Sequence, residues 1–286
     1  MQDHAKVNAI PSTEIVSLSF LCLARDCEAT VPLFFSYLDR LRQSGFQCRA
    51  LIGENGSRDQ TRALIQKGAA SGVELLDTTK MSEGKRRLIR MAIGREALLL
   101  AARERGLLDA DYVCVMDLDN VMTNPPSPEG LTRAIVRLRE DKSLFAVGTS
   151  SVPYYYDILT LRAEGHDYTH MEAELAEAKK KPLTYYRYHQ KQIYTNQRRM
   201  TKNEPIYCTS SFNGFCIYNS QDFSLGSYFA DNVGDVCEHV SLNLSIGRTT
   251  GKRMVIGPEL VIRTPADHAP VGFFRFWLDR IKKKTA

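Results

Sequence analysis

Two carboxylates one residue apart, Asp117 and Asp119, follow the short apolar run 113–116, Val-Cys-Val-Met. That run has the length and β-propensity of a buried strand. After the acids comes Asn124-Pro125-Pro126-Ser127-Pro128, a loop signal. Acids at the carboxyl end of a buried strand stand where open α/β sheets bind their ligands. Left bare, the pair would repel, and the pKa of at least one acid would rise. A hard divalent cation relieves that repulsion, prefers oxygen ligands and can hold a diphosphate as well. The plain alternative is an Asp-x-Asp that only ends a strand and caps the next element.

Four further stretches carry candidate chemistry. Gly84-Lys85-Arg86-Arg87 opens an Ala- and Leu-rich segment, 88–105, that reads as a long helix. A helix dipole disfavours cations at its N-terminus, so the cluster is either a solvated face or the partner of an anion such as a diphosphate. Residues 54–61, Glu-Asn-Gly-Ser-Arg-Asp-Gln-Thr, form a tight turn with Ser57 and Gln60 at capping-box spacing. The turn either caps a helix or touches a nucleotide. Asp235, Glu238 and His239 precede an apolar helical face of Val240 and Leu244. The segment 153–203 is crowded with tyrosine, which suits either packing or the apolar faces of sugar rings.

The elements that must position these groups alternate. Strand signals cover 15–24, 46–53, 73–76, 113–116 and 144–150, and helical spacing covers 31–45, 61–67, 88–105 and 131–139. That alternation predicts a three-layer α/β domain. Further strands are expected over 207–219, with Gly214 at a bulge or close approach, and over 252–262. A polar-faced helix is expected over 171–181.

Composition sets bounds on partners. The chain has 286 residues, 43% of them hydrophobic, which supports a real core. A net charge of +5 suits anionic small ligands or an acidic membrane surface and is too weak to argue for nucleic acid. The seven cysteines lack zinc-type spacing and several lie in apolar runs, as reduced cytosolic thiols do. The first residues lack the apolar core of a signal peptide. No apolar run approaches the ~20 residues that span a bilayer. The tail, Phe273-Phe274-Arg275-Phe276-Trp277 and then Lys282 to Lys284, is aromatic and then basic. It is expected either to pack on the domain or to lie on an anionic membrane surface. The resulting expectation is a cytoplasmic protein, peripheral on the inner face of the membrane in the second case.

In their order along the chain, these signals resemble the GT-A glycosyltransferases, most broadly the family-2-like group, over residues 15–270. The resemblance implies a GT-A (Rossmann-like) three-layer α/β/α sandwich with a mixed, mostly parallel central sheet. Residues 1–14 would be an extension and 15–270 a single catalytic domain. Its half 15–150 would bind the nucleotide-sugar, its half 151–270 the acceptor, and 271–286 would form the tail. Residues 54–61 are similar to the family's Asp-Asp-Gly-Ser-x-Asp-x-Thr turn, which implies nucleotide contacts at Asn55 and Asp59, although Asn55 replaces an acid. Asp117 and Asp119 occupy the place of the DxD motif, implying contact with the nucleotide ribose and with Mn2+ or Mg2+. Phe212-Asn213-Gly214-Phe215 looks like the strand lining the donor-sugar pocket, hence Asn213 and Gly214. Glu238 stands where the family carries its base, with Asp235 in reserve, and His268 where many members place a further metal ligand. The Cys237-Glu238-His239 form also resembles fungal capsule-associated mannosyltransferases.

The implied reaction moves a sugar from a UDP- or GDP-sugar to a hydroxyl of a glycan or glycolipid, in surface polysaccharide, lipopolysaccharide or capsule synthesis. Lys85 and Arg86 would add positive charge at the leaving diphosphate. Glu238 as base gives inversion; retention follows if Glu238 only binds the acceptor. Two other readings stay open. Val-Cys-Val-Met-Asp-Leu-Asp-Asn-Val also fits the opening motif of haloacid-dehalogenase-type phosphatases, with Asp117 as nucleophile and Gly234-Asp235 as a partial late acidic motif. Against it, about a hundred residues of ordered α/β pattern precede the motif. A silent sugar-nucleotide-binding protein is the other.

Overall fold

The computed structural model describes residues 15–200, 204–230 and 235–285. Among these, ten strands form one mixed sheet. They are β1 (Val16–Ala24), β2 (Phe46–Glu54), β3 (Val73–Asp77), β4 (Tyr112–Asp117), β5 (Leu144–Val152), β6 (Arg162–Ala163), β7 (His166–Asp167), β8 (Ile206–Ser210), β9 (Phe215–Asn219) and β10 (Arg253–Arg263). Their order is β3-β2-β1-β4-β9-β5-β10-β8-β6-β7. The first four in that order are parallel. β9 is inserted antiparallel between β4 and β5, and β10 runs parallel to β5. β8, β6 and β7 finish the far edge antiparallel.

Helices α1 (Val31–Gln43), α2 (Thr61–Lys67), α3 (Arg87–Glu104) and α4 (Pro128–Glu140) connect the first five strands. The strand period of two sorts side chains between two cores. Val16, Leu18, Phe20 and Cys22 of β1 pack with Phe34, Leu38, Ile65 and Ile135 from α1, α2 and α4. Leu21 and Leu51 point the other way, onto Leu98, Leu99 and Ala102 of α3. Both faces are therefore covered, which is why these strands read as continuous apolar runs. The expected α/β fold, three layers around a mixed sheet whose first half is parallel, is the one observed.

The later helices are α5 (Met171–Ala178), α6 (Pro182–Tyr188), a π-helical turn over His189–Ile193, α7 (Tyr194–Arg199), α8 (Ser220–Phe223), α9 (Glu238–Thr250) and α10 (Phe273–Thr285). Leu242 and Ile246 of α9 and Phe223 of α8 join the second core.

Two local expectations are corrected. The stretch 207–219 is not one strand: Asn213 and Gly214 adopt φ of 58° and 80°, turning the chain between β8 and β9, which lie in separate parts of the sheet. The capping box at Ser57 and Gln60 does not form. Ser57 Oγ accepts from the Asp26 amide at 3.0 Å, and the Gln60 amide donates instead to Glu28 Oε2 at 3.0 Å.

Candidate active site

β1 and β4 end side by side, with Leu23 in register with Asp117. A cleft of about 350 Å3 opens beyond these ends, bounded by α3, by the start of α9 and by the loop after β5. This is the carboxyl edge of the parallel strands, where open α/β sheets bind ligands.

Asp117 and Asp119 both line the cleft. The Asp117 amide donates to Gly214 O at 3.0 Å, and its carboxylate, 31% exposed, meets Arg95 Nη2 at 2.5 Å. Enclosure pushes the Asp117 pKa up to about 7; Arg95 opposes the rise and Asp119 adds to it. Asp119 is exposed, and its Oδ1 accepts from the Val121 amide at 3.1 Å.

Arg95 is buried, its side chain 1% exposed, yet it lines the cleft. Its Nε and Nη1 have no hydrogen-bond partner. Buried guanidinium donors without acceptors are costly and call for an explanation. Arg87 and Arg90 also line the cleft. Arg87, Met91 and Arg95 are four residues apart on α3, so one helical face presents them together.

The opposite wall is built from Phe212, Cys237, Glu238 and His239. The His239 ring stacks on Phe212 with centroids 3.6 Å apart and planes 11° off parallel. Burial holds the His239 imidazole neutral, well below its ordinary pKa, and Arg95 acts in the same direction. Glu238 is 6% exposed, the first residue of α9, with Oε1 3.6 Å from His239 Nε2. Asp157, on the loop after β5, completes the cleft. Burial pushes its pKa up to about 6, and Glu238 adds to the rise.

The donor set suits a divalent cation only in part. Asp117 and Asp119 are two of the four acids lining the cleft, but among the described residues no group of three His, Cys, Asp or Glu is placed to hold a metal. Mg2+-type sites need no more than that, because one or two carboxylates plus substrate phosphates complete them. The residues therefore fit a cation shared with a bound diphosphate, and Asp119, exposed to the cleft, is the better placed of the pair.

The structure redistributes several expected site residues. Asn55 lines the cleft. Glu54, beside it, is fully buried and held by Arg62, with Nε at 2.6 Å. Asp59 does not line the cleft; its carboxylate ties the Glu28 and Thr61 amides. Lys85 and Arg86 are exposed outside the cleft, because α3 begins only at Arg87, and Arg86 pairs at 3.0 Å with Asp235, itself 69% exposed. Asn213 is wholly buried, its Oδ1 taken by the Tyr156 and Asp157 amides and its Nδ2 by Thr149 O, so it holds a loop and touches no cleft. Gly214 is absent from the lining for a related reason: a Cβ there would lie 2.3 Å from Tyr156 Oη. His268 lines a neighbouring cavity, its ring 4.8 Å from that of Tyr156.

Arg87 and Phe212 fall inside the basic cluster and the donor-pocket strand expected from the sequence, whereas Arg90, Arg95, His239 and Asp157 were not singled out as donor-site residues. For the arginines a signal existed in their helical spacing; for Asp157 none did.

No family model matches the chain, and neither does any curated protein. Among solved structures the chain is similar to a mannosyltransferase from Pyrobaculum calidifontis in complex with GDP-Man and Mn2+. Identity is 16%, coverage 94% of this chain and 61% of that one, and the TM-score 0.49. It is also similar to glucosyl-3-phosphoglycerate synthase from Mycobacterium tuberculosis in complex with Mn2+, UDP and phosphoglyceric acid. There identity is 14%, coverage 92% and 74%, and the TM-score 0.44. Mannosyl-3-phosphoglycerate synthase from Rubrobacter xylanophilus matches at 12% identity, with coverage of 87% and 65% and a TM-score of 0.43. The chain spans about three fifths of the length of the first of these.

Proposed function

We propose that this chain is a metal-dependent GT-A glycosyltransferase that moves a sugar from a nucleoside-diphosphate sugar to an acceptor hydroxyl. One observation carries the reading: the unsatisfied donors of buried Arg95 share a cleft with the Asp117–Asp119 pair, at the carboxyl edge of the parallel strands. That combination of fixed guanidinium donors and oxygen ligands fits a diphosphate with its cation. A Mn2+ or Mg2+ ion held by Asp119, with Asp117, supplies positive charge to the leaving diphosphate. Arg87, Arg90 and Arg95 supply more from the protein. Asn55, which lines the cleft, would contact the nucleoside. Glu238 and Asp157 are the two remaining carboxylates of the cleft, and a carboxylate there can take the proton of the attacking hydroxyl.

A thermal-shift panel of UDP-, GDP-, CMP- and dTDP-sugars, with and without Mn2+, tests this. A Mn2+-dependent rise in Tm with one nucleotide, lost in Asp119→Ala, is the expected result. No rise with any of them overturns the reading. The anomer of the product, read by proton NMR, decides inversion or retention.

The phosphatase reading loses its late acid, since Asp235 lies exposed on Arg86 outside the cleft, while Gly234 falls outside the described residues. Its nucleophile, Asp117, would also have to act from an ion pair with Arg95.

Acceptors attached to a lipid, as in surface polysaccharide synthesis, would give the tail a second role. Among the described residues no helix is long and apolar enough to cross a membrane. α10 is anchored by Phe276, which is fully buried and packs against Tyr185, Tyr186 and His189. Its outward face exposes Phe274, Leu278 and Ile281 at helical spacing, 82%, 56% and 57% exposed. The side chains of Lys282 to Lys284 lie outside the described residues. The exposed stripe supports peripheral attachment to an anionic membrane. Co-sedimentation with phosphatidylserine vesicles, lost in Phe274→Asp, is the expected result; equal sedimentation of the variant overturns it.

A further inference from the structure

Next to the cleft lies a second cavity of about 420 Å3, and Arg87 and Asp157 are the residues that line both. The π-helical turn, α7 and α10 wall it, and α10 contributes Arg280. We propose that this cavity binds the acceptor, that Asp157 takes the proton of its attacking hydroxyl, and that Arg280 holds a negatively charged group on it. The proposal rests on the sugar-transfer reading above and names the acceptor side of that same site.

Position is the first argument. A base must touch the acceptor hydroxyl while that oxygen approaches the sugar carbon bonded to the diphosphate. With donor in one chamber and acceptor in the other, the base belongs at the junction. Glu238 lines only the donor cleft, whereas Asp157 lines both. In the step, the acceptor oxygen bonds to the anomeric carbon and its proton passes to the Asp157 carboxylate. The bond from that carbon to the diphosphate oxygen breaks, and its electron pair leaves with the diphosphate toward the α3 guanidiniums.

Rigidity is the second. The Asp157 amide donates to Asn213 Oδ1 at 3.3 Å, and Gln197 Nε2 donates to the Tyr156 carbonyl at 2.9 Å. The peptide before the acid is thus held from both sides, as a catalytic group must be. Charges around the acid come from every side: Arg87 on α3, Glu238 on α9, Glu172 on α5 and Asp117 on β4. Burial and the acids outweigh Thr160, the Asn213 contact and the Arg87 guanidinium, which raises the proton affinity of Asp157 toward that of an effective base at neutral pH.

The cavity also holds polar groups that nothing in the fold satisfies. Gln197 is 2% exposed, and its Oε1 has no partner. His189 is pulled down to about 3 by burial and then by Arg280, so its ring is neutral. Its Nε2 lies 3.4 Å from Arg280 Nη2 and faces a donor, which assigns the proton to Nδ1, a donor without an acceptor. Among the described residues Arg280 is met by the Phe276 ring at 3.4 Å, by the Phe276 carbonyl and by His189, and by no carboxylate. A guanidinium paired with no carboxylate among the described residues, an unused donor, an unused acceptor and the faces of Tyr185 and Tyr194 fit a hydroxylated ring carrying a carboxylate or phosphate.

Hydrolysis of the nucleotide-sugar by water, read as nucleoside diphosphate released, tests the base without an acceptor. Asp157→Asn is expected to lose about 10²–10⁴-fold in rate while keeping the Mn2+-dependent donor shift. A rate within tenfold of wild type overturns the assignment. So does a larger loss in Glu238→Gln than in Asp157→Asn. Glucose 6-phosphate, glucuronate and glucose, added to donor-loaded protein, then probe the cavity. The two anions are expected to raise Tm more than glucose, and Arg280→Met to erase the difference. Equal shifts, or none, overturn the anionic class. Absence of any donor shift in the wild type would instead sink the transfer reading, and this inference with it.

Discussion

Replacing Asp157 by Asn should stabilise this protein at pH 8 and leave its stability unchanged near pH 4. The acid sits in a packed loop where burial, then Glu238, lifts its pKa from the ordinary 3.8 to about 6. The native state therefore keeps a proton that the unfolded chain gives up between those values. Stability falls as pH rises through that window and is flat above it. At about 1.36 kcal/mol per pH unit, the full cost to the wild type above pH 6 is up to ~3 kcal/mol. Thr160, whose Oγ1 donates to the Asp157 carbonyl at 2.8 Å, also sits beside the carboxylate and opposes the rise, a favourable contact that the amide keeps only in part. The net gain for the variant at pH 8 is then roughly 1–2 kcal/mol. For a chain of this size that is a Tm increase of about 2–3 °C. Paired melts of wild type and variant at pH 4 and pH 8, with EDTA present, measure it. A Tm difference that is the same at both pH values, or a variant less stable at pH 8, refutes the reasoning.

Three other outcomes follow from the geometry. Gly214→Ala combines a φ of 80° with a Cβ 2.3 Å from Tyr156 Oη; it should cost about 2–4 kcal/mol in urea unfolding, and Tyr156→Phe should recover the part due to the hydroxyl. Arg95→Met leaves Asp117 without its ion-pair partner and should cost about 3–5 kcal/mol, with Asp117→Asn in the same chain restoring much of the loss but not donor binding. Lys85→Ala and Arg86→Ala, both outside the cleft, should change stability by less than about 0.5 kcal/mol and leave the donor shift intact, whereas Arg90→Ala should weaken it.

The sheet was legible because its central strands are buried on both faces and stand out as apolar runs separated by helical periods. β1, β2, β4 and β5, with α1 through α4, appear at the expected places within a few residues. The break at Asn213 and Gly214 was harder, since a strand glycine signals a bulge as readily as a turn, and the two halves find partners far apart in sequence. The basic cluster was read from its charge density. The cleft takes only Arg87 from it, together with Arg90 and Arg95 further along α3, and Arg86 turns away to Asp235.

Local chemistry in the sequence determined the positions that depend only on neighbours. An acid pair ending a buried strand, a tight turn after β2 and an acid opening α9 all lie within one element or its cap, so short-range pattern reveals them. Tertiary structure decided which of these face one another. It gave Asn213 to the loop behind the cleft, moved His268 to the next cavity and brought Asp157 to the junction of two chambers. Those choices arise from crossovers between strands scores of residues apart. The energy that fixes them, burial and hydrogen bonding across the sheet, has no counterpart in local spacing.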